Sequence, residues 1–134
     1  MPTSKCLCGE IELKFDAEMQ AKALCSCTNC QQTSGSAYSV NLVFPKGSMT
    51  ATKGNVKVYQ NKGDSGNELK RCFCATCGSP LYSEAADGTY YVKGGNMQED
   101  KGLEGKPNLS IFCRSRPDWA TPKEAGDSLP GSTA

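Results

Sequence analysis

The chain has 134 residues, with 15 Lys and Arg against 14 Asp and Glu and a formal net charge of +1. This length suits one domain, and the scattered Lys and Arg side chains argue against a nucleic-acid-binding surface. The sequence has no apolar stretch long enough to span a membrane, and its N-terminus lacks the apolar core of a signal peptide. We therefore expect a cytoplasmic protein in which cysteines stay reduced.

Taken in chain order, seven segments have strand-like composition or apolar–polar alternation, and turn residues separate them. These segments are 10–15, 37–44, 55–60, 68–73, 80–84, 89–94 and 109–113. The stretch 28–35 predicts a short helix with Thr28 as its cap and Gly35 as its stop, and 96–102 predicts another helical turn. Many short strands favour a mainly β fold, a sandwich, barrel or folded sheet, with one or two short helical turns.

The domain organisation follows from the same pattern. We expect a single domain over residues 1–122, with a modest core because apolar residues make up 37% of the chain. The last residues, 123–134, show no apolar period, so we predict a flexible C-terminal tail there.

The chain has nine cysteines and no histidine. Cys6 and Cys8 form C-x-C followed by Gly9, and Cys74 and Cys77 form C-x-x-C, also followed by glycine. Cysteines in such turns converge on one tetrahedral zinc ion, and the glycine permits the left-handed backbone that the turn needs. We predict that these four cysteines hold a structural zinc, which would fasten the N-terminal strand to the middle of the chain.

Three further cysteines, Cys25, Cys27 and Cys30, form C-x-C-x-x-C. Three protein ligands with an open fourth position are typical of a catalytic zinc, where water or substrate completes the shell. A distant thiol from Cys72 or Cys113 would instead close the site and make it structural. Cys72 lies on a predicted strand two residues before Cys74, so it could lie near either metal. Cys113 is predicted to be a buried strand residue. Disulfides or plain core packing are disfavoured by the compartment and the spacing.

At this point the sequence resembles the glutathione-dependent formaldehyde-activating enzyme family, which also includes centromere protein V. The resemblance covers about residues 5–120 and rests on the motifs CLCGEIEL (6–13), CSCTNCQQTSG (25–35), RCFCATCGSPLYS (71–83), YYVKGGNMQED (90–100) and PNLSIFCRSRPDW (107–119). It implies a mostly β fold built around two zinc ions. The structural ion would be held by the first C-x-C and the late C-x-x-C, and the second, exposed ion by the middle cluster.

The resemblance also implies an activity, the joining of formaldehyde to glutathione to give S-hydroxymethylglutathione, and the class of carbon–sulfur lyases. The expected partner is therefore a small molecule, glutathione or its adduct or a related small carbonyl compound. The family usually has histidine where this chain has Ser26, and often where it has Ser110. Proton transfer would then fall to another group, and the candidates are Tyr38, Tyr82, Tyr90, Tyr91, Glu84 and Asp87.

Two other functions remain open at this stage. A non-catalytic zinc module for structure or protein interaction would explain the cysteines, but a chromatin module would be expected to carry a basic arm, which this chain lacks. Thiol buffering or metal storage fits poorly with so many ordered strands. Arg71 could meet a carboxylate of glutathione or pair with surface acids.

Overall fold

The computed structural model describes residues 2–63, 65–99, 102–120 and 126–131. The strands and the helix, in chain order, are β1 Thr3–Lys5, β2 Glu12–Phe15, β3 Ala21–Cys25, α1 Thr28–Ser34, β4 Ser39–Phe44, β5 Met49–Lys53, β6 Lys57–Lys62, β7 Glu68–Phe73, β8 Pro80–Ala85, β9 Tyr90–Lys93, β10 Leu109–Ile111 and β11 Asp127–Ser128. Short 3-10 turns cover Gly94–Asn96, Cys113–Ser115 and Asp118–Ala120. Within the part of the chain that is described, no helix has the length and apolar character needed to cross a membrane.

The strands form two sheets. The smaller sheet has the order β1-β2-β5 and is antiparallel throughout. The larger has the order β11-β10-β3-β4-β9-β8-β7-β6, in which β10 runs parallel to β3 and β11 parallel to β10 while the other pairs are antiparallel. The mainly β fold predicted from the sequence is confirmed.

The main core joins the two sheets. Phe15 of β2 stacks on Phe44 of β4 with ring centroids 4.4 Å apart, and both rings are buried. Leu42 and Val92 face the same core from paired positions of β4 and β9. Because side chains alternate along a strand, the residues between these positions lie on the opposite face of the larger sheet. That second face carries the polar residues described below.

The predicted helix at 28–35 is confirmed over Thr28–Ser34, and Gly35 ends it in the left-handed conformation with φ of 64°. The predicted cap was wrong. Cys27 caps the helix, because its Sγ accepts the backbone N–H of Cys30 at 3.3 Å. The turn predicted at 96–102 was misplaced: a 3-10 turn covers Gly94–Asn96 and the backbone is extended at the next residue. Residues 100 and 101 of that prediction lie outside the described residues.

The last predicted strand, 109–113, is shorter than expected. β10 ends at Ile111 because Phe112 adopts a left-handed backbone with φ of 54°. Cys113 therefore begins a 3-10 turn and is only half-buried, so its prediction as a buried strand residue was wrong.

Part of the segment predicted to be a flexible tail is described, residues 126–131. Asp127 and Ser128 pair with Leu109 and Ser110 of β10. The backbone N–H of Phe112 donates to the carbonyl oxygen of Gly131 at 3.0 Å. The predicted domain boundary after residue 122 and the tail residues 123–125 and 132–134 lie outside the described residues, so the single domain over 1–122 stays a prediction.

Candidate functional site

The four cysteines assigned to a structural ion meet although they come from distant parts of the chain. The sulfur atoms of Cys6, Cys8, Cys74 and Cys77 all lie within 4.8 Å of one another. The Sγ of Cys8 is 3.6 Å from that of Cys6 and 3.7 Å from that of Cys74. Thiolates placed tetrahedrally around zinc, each at about 2.3 Å, would be about 3.8 Å apart. The donor set therefore fits one zinc ion.

Two matching turns present these thiols. The N–H of Gly9 donates to the carbonyl of Cys6 at 3.0 Å, and the N–H of Gly78 donates to the carbonyl of Cys74 at 2.9 Å. Both glycines have positive φ, 79° and 76°, as the sequence predicted. The N–H of Ile11 donates to the Sγ of Cys6 at 3.3 Å, a contact that disperses the negative charge of a thiolate.

Ser79 links the two turns, and the sequence analysis did not identify it. Its hydroxyl lies 3.2 Å from the Sγ of Cys77 and accepts the backbone N–H of Leu7 at 3.1 Å. Hydrogen bonds from the side chain and backbone of Ser79 lower the pKa of Cys77 to about 5. This favours the thiolate, the form of cysteine that binds a metal ion.

The middle cluster lies where β3 runs into α1. The sulfur atoms of Cys25, Cys27 and Cys30 lie within 4.8 Å of one another, and all three residues are buried. Among the described residues, neither a fourth cysteine nor a carboxylate joins this group. Cys72 is buried in the main core, and the thiol of Cys113 donates to the carbonyl of Ser110 at 3.5 Å, so neither lies in either cluster.

Phe112 covers one side of the middle cluster. It is buried against the three cysteines, and the guanidinium of Arg114 lies 5.3 Å from the centre of its ring. Its left-handed backbone is strained for a bulky residue, and such strain persists only where the surroundings hold it in place. The residue is therefore fixed against the cluster.

The two positions at which the sequence resemblance led us to expect histidine in the family are buried serines here. Ser26 and Ser110 are each 1% exposed. The N–H of Ser26 donates to the carbonyl of Ile111 at 3.1 Å, which ties the cysteine loop to β10. Neither serine lines the cavity described below.

The three thiols of the middle cluster interact strongly. Hydrogen bonds from Cys25 and Cys27 lower the pKa of Cys30, and the positive charge of Lys93 acts in the same direction. The same sulfur–sulfur bonds raise the pKa of Cys25. The pKa values of Cys25 and Cys30 are therefore shifted in opposite directions.

Lys93 is connected to this cluster by a chain of hydrogen bonds. Its Nζ donates to the Oδ1 of Asn41 at 2.6 Å, and the Nδ2 of Asn41 donates to the hydroxyl of Ser39 at 2.8 Å. The Ser39 hydroxyl in turn donates to Cys30 and lowers its pKa. Register explains this arrangement, since Lys93 lies opposite Asn41 and Ser39 lies opposite Cys25. Burial lowers the pKa of Lys93, while the charge on Cys30 opposes that shift.

Lys93 also lines a cavity of about 340 Å³. Its walls come from α1 and from β7, β8 and β9, and they include Thr33, Arg71, Tyr82, Ser83 and Lys93. Lys93 lines the cavity and connects to Cys30 through Asn41 and Ser39, so the cavity is linked to the middle cluster by a chain of hydrogen bonds. A wider hollow of about 700 Å³ next to Trp119 has no charged side chain or cysteine among its lining residues.

Among the tyrosines considered for proton transfer, Tyr82 lines the cavity. Burial raises its pKa, and the ring of Tyr90 meets it edge-on with centroids 5.7 Å apart. The others are not among the residues lining the cavity: Tyr38, Tyr90 and Tyr91.

The two carboxylates considered for proton transfer lie elsewhere. Glu84 is paired with Lys70 across the sheet, with the ammonium and carboxylate 3.7 Å apart. Asp87 accepts the backbone N–H of Thr89 at 2.9 Å and so closes a turn. Neither lines the cavity, so they have structural contacts instead.

Comparisons with known proteins were made against families, curated proteins and solved structures. A family model described as glutathione-dependent formaldehyde-activating enzyme matches residues 1–115. Three chains of solved structures match. One is the crystal structure of a Rhodobacter sphaeroides protein, which is 18% identical with a TM-score of 0.60 and covers 77% of this chain and 95% of that chain. At this identity the likeness shows the fold alone. The search of curated proteins found no match.

Proposed function

Because this chain belongs to the glutathione-dependent formaldehyde-activating enzyme family, we propose that it is a zinc-dependent carbon–sulfur lyase. Its substrate would be the adduct of a small thiol and a small carbonyl compound, with glutathione and formaldehyde as the first pair to consider. The observation that carries the proposal is the three-cysteine cluster with no fourth ligand among the described residues, connected through Lys93 to a cavity that two cations line.

Two metal sites with different roles follow from the donor sets. The cluster of Cys25, Cys27 and Cys30 would hold a zinc ion that, when bound, supplies Lewis-acid character and an open coordination position. The other four cysteines would hold a structural ion in a closed site, since four thiolates fill the tetrahedral shell. Two zinc ions per chain are therefore proposed.

The reaction breaks the S–H bond of the thiol and the π bond of the carbonyl group, forms a bond between the sulfur and the carbonyl carbon, and balances the proton lost by the thiol with one gained by the carbonyl oxygen. Lys93 supplies positive charge at the side of the cavity next to Cys30. Such a fixed charge stabilises a thiolate sulfur and the negative charge that develops on the carbonyl oxygen. Asn41 holds the ammonium in place through its 2.6 Å hydrogen bond.

Tyr82 has a different role in this proposal. Although it lines the cavity, its side chain belongs to the main core and hydrogen-bonds to Cys72, and its raised pKa keeps the hydroxyl protonated at neutral pH, so it does not act as a base. The buried serines at the two histidine positions of the family lie outside the cavity. Lys93 is therefore the residue that we assign to the polar contact with the reacting group of the substrate.

We also propose a cytoplasmic location. All nine cysteines are free thiols, and two groups of them converge as metal ligands do. Thiols in such numbers persist in a reducing compartment.

The activity can be tested by measuring how fast formaldehyde, glutathione and their adduct equilibrate, using NMR exchange. The zinc-loaded protein is expected to accelerate equilibration by about a hundredfold or more. Mild chelation should abolish the acceleration and added zinc should restore it. A protein that holds zinc at the middle cluster but accelerates neither this reaction nor that of other small thiols and aldehydes would contradict the proposal and favour a non-catalytic zinc module.

A further inference from the structure

Arg71 is a buried cation whose hydrogen bonding is incomplete. The residue is 8% exposed, and its Nε donates to the Oδ1 of Asn61 at 2.9 Å. Its Nη2 is buried and has no hydrogen-bond partner. A buried guanidinium N–H without an acceptor is unfavourable, because the group has lost water and gained nothing in exchange.

The charge of Arg71 is also uncompensated. The ion pairs found among the described residues include Lys5 with Glu12 and Lys70 with Glu84, and neither Arg71 nor Lys93 is found paired with a carboxylate of the described residues. Lys93 is hydrogen-bonded to Asn41, and Asn41 to Ser39, in a chain that leads toward the three thiols of the middle cluster. The positive charge of Arg71 is left over, and a buried cation requires an anion nearby.

The two cations line one cavity because of sheet register. Arg71 on β7 lies opposite Ser83 on β8, which lies opposite Tyr91 on β9. Lys93 is two residues beyond Tyr91, so its side chain emerges on the same face of the sheet. Both Arg71 and Lys93 line the 340 Å³ cavity.

The guanidinium is held in a fixed position. The Oδ1 of Asn61 on β6 accepts the hydrogen bond from the Nε of Arg71. The Nδ2 of Asn61 in turn donates to the Oδ1 of Asn29 on α1 at 2.9 Å. A side chain fixed in this way loses little conformational entropy on binding a ligand, which favours recognition over a nonspecific attraction.

From these observations we propose that Arg71 binds a carboxylate of the substrate, so that the substrate is a small thiol, or its carbonyl adduct, bearing a carboxylate. The guanidinium matches a carboxylate with two parallel hydrogen bonds. The cavity lies near the lower end of the range of about 300–1,000 Å³ for small-molecule sites. This inference rests on the proposed function for the identity of the reacting group. The alternative is a purely structural role, in which Arg71 stabilises the thiolate cluster. The test must distinguish this role from carboxylate binding.

The test compares the binding of S-methylglutathione with that of its diethyl ester, measured by ligand-observed NMR on the zinc-loaded protein. The blocked sulfur removes the thiol chemistry and leaves the carboxylates as the difference between the two ligands. The wild type should bind the acid at least about tenfold more tightly than the ester. Arg71→Gln should weaken binding of the acid by about ten- to a hundredfold and remove the preference, and Arg71→Lys should restore part of it.

Lys70→Gln is the matched control. It removes the same charge from the neighbouring position of β7, where Lys70 is exposed and pairs with Glu84, and should leave the preference intact. Thermal melting of each variant separates loss of binding from loss of folding. A wild type that binds both ligands equally or binds neither, or an Arg71→Gln protein that keeps the preference, would overturn the inference. A preference that depends on Arg71 in a protein without turnover would support the carboxylate site while the proposed function failed.

Discussion

Replacing Cys77 with serine is expected to unfold the domain or to strip it of its structural zinc. The cluster joins residues 6–8 to residues 74–77, so an ion bound there would crosslink two distant segments of the chain. A structural zinc contributes about 10 kcal/mol or more to folding, comparable to the whole stability of about 5–15 kcal/mol of a typical domain. Thermal melting followed by circular dichroism, together with zinc content by elemental analysis, measures both effects.

Cys113→Ser is the matched control for this variant. The Cys113 thiol is half-buried and belongs to neither cluster. Its replacement should leave the zinc content unchanged and should alter the free energy of unfolding by about 1 kcal/mol or less. If Cys77→Ser keeps full metal content and the melting temperature of the wild type, the first cluster does not hold a structural ion.

Replacing Cys27 with serine is expected to abolish turnover, by about a hundredfold or more, while most of the fold remains. All three ligands of the middle cluster lie within residues 25–30, so its ion closes no long loop of the chain. Serine is also a favoured N-cap residue, and its oxygen can accept the Cys30 N–H that the Cys27 sulfur accepts now. The measurements are the equilibration rate, the zinc content and the melting curve.

For this second variant we expect the loss of one zinc ion per chain and a much smaller fall in melting temperature than in Cys77→Ser. The control is again Cys113→Ser, which should retain turnover. A grossly unfolded Cys27→Ser protein would show that the middle cluster is structural, and one with full turnover would remove the cluster from the reaction.

The strands that the sequence located share a physical feature. Segments such as 55–60 and 68–73 alternate apolar and polar residues between clear turns, and β6 and β7 were found there. β3, with the sequence AKALC, was missed because Ala and Lys favour helices and because its last four residues are all buried, so its sequence shows no apolar–polar alternation. β1 and β11 contain three and two residues, too few for a pattern to be visible.

Some residues of the candidate site could be predicted from local sequence patterns, and others could be known only from the fold. Local spacing was enough to group the seven cysteines, since C-x-C and C-x-x-C bring sulfur atoms together within one turn. Lys93 was missed because its importance comes from its register with Asn41 across β4 and β9, which no local pattern reports. The alternation around Val92 does predict that Lys93 faces away from the core, and this was the available signal. For Arg71, burial and the unpaired Nη2 depend on three neighbouring elements and could be known only from the fold.

The central claim is that one closed and one open zinc site lie in the same small domain. The most direct measurement is zinc per chain by elemental analysis of protein purified without chelator, repeated after brief mild chelation. We predict two zinc ions, of which the one at the three-cysteine cluster is lost readily and the one at the four-cysteine cluster is kept. Two equally tight ions would contradict an open site, and a single tight ion would contradict metal binding at the middle cluster.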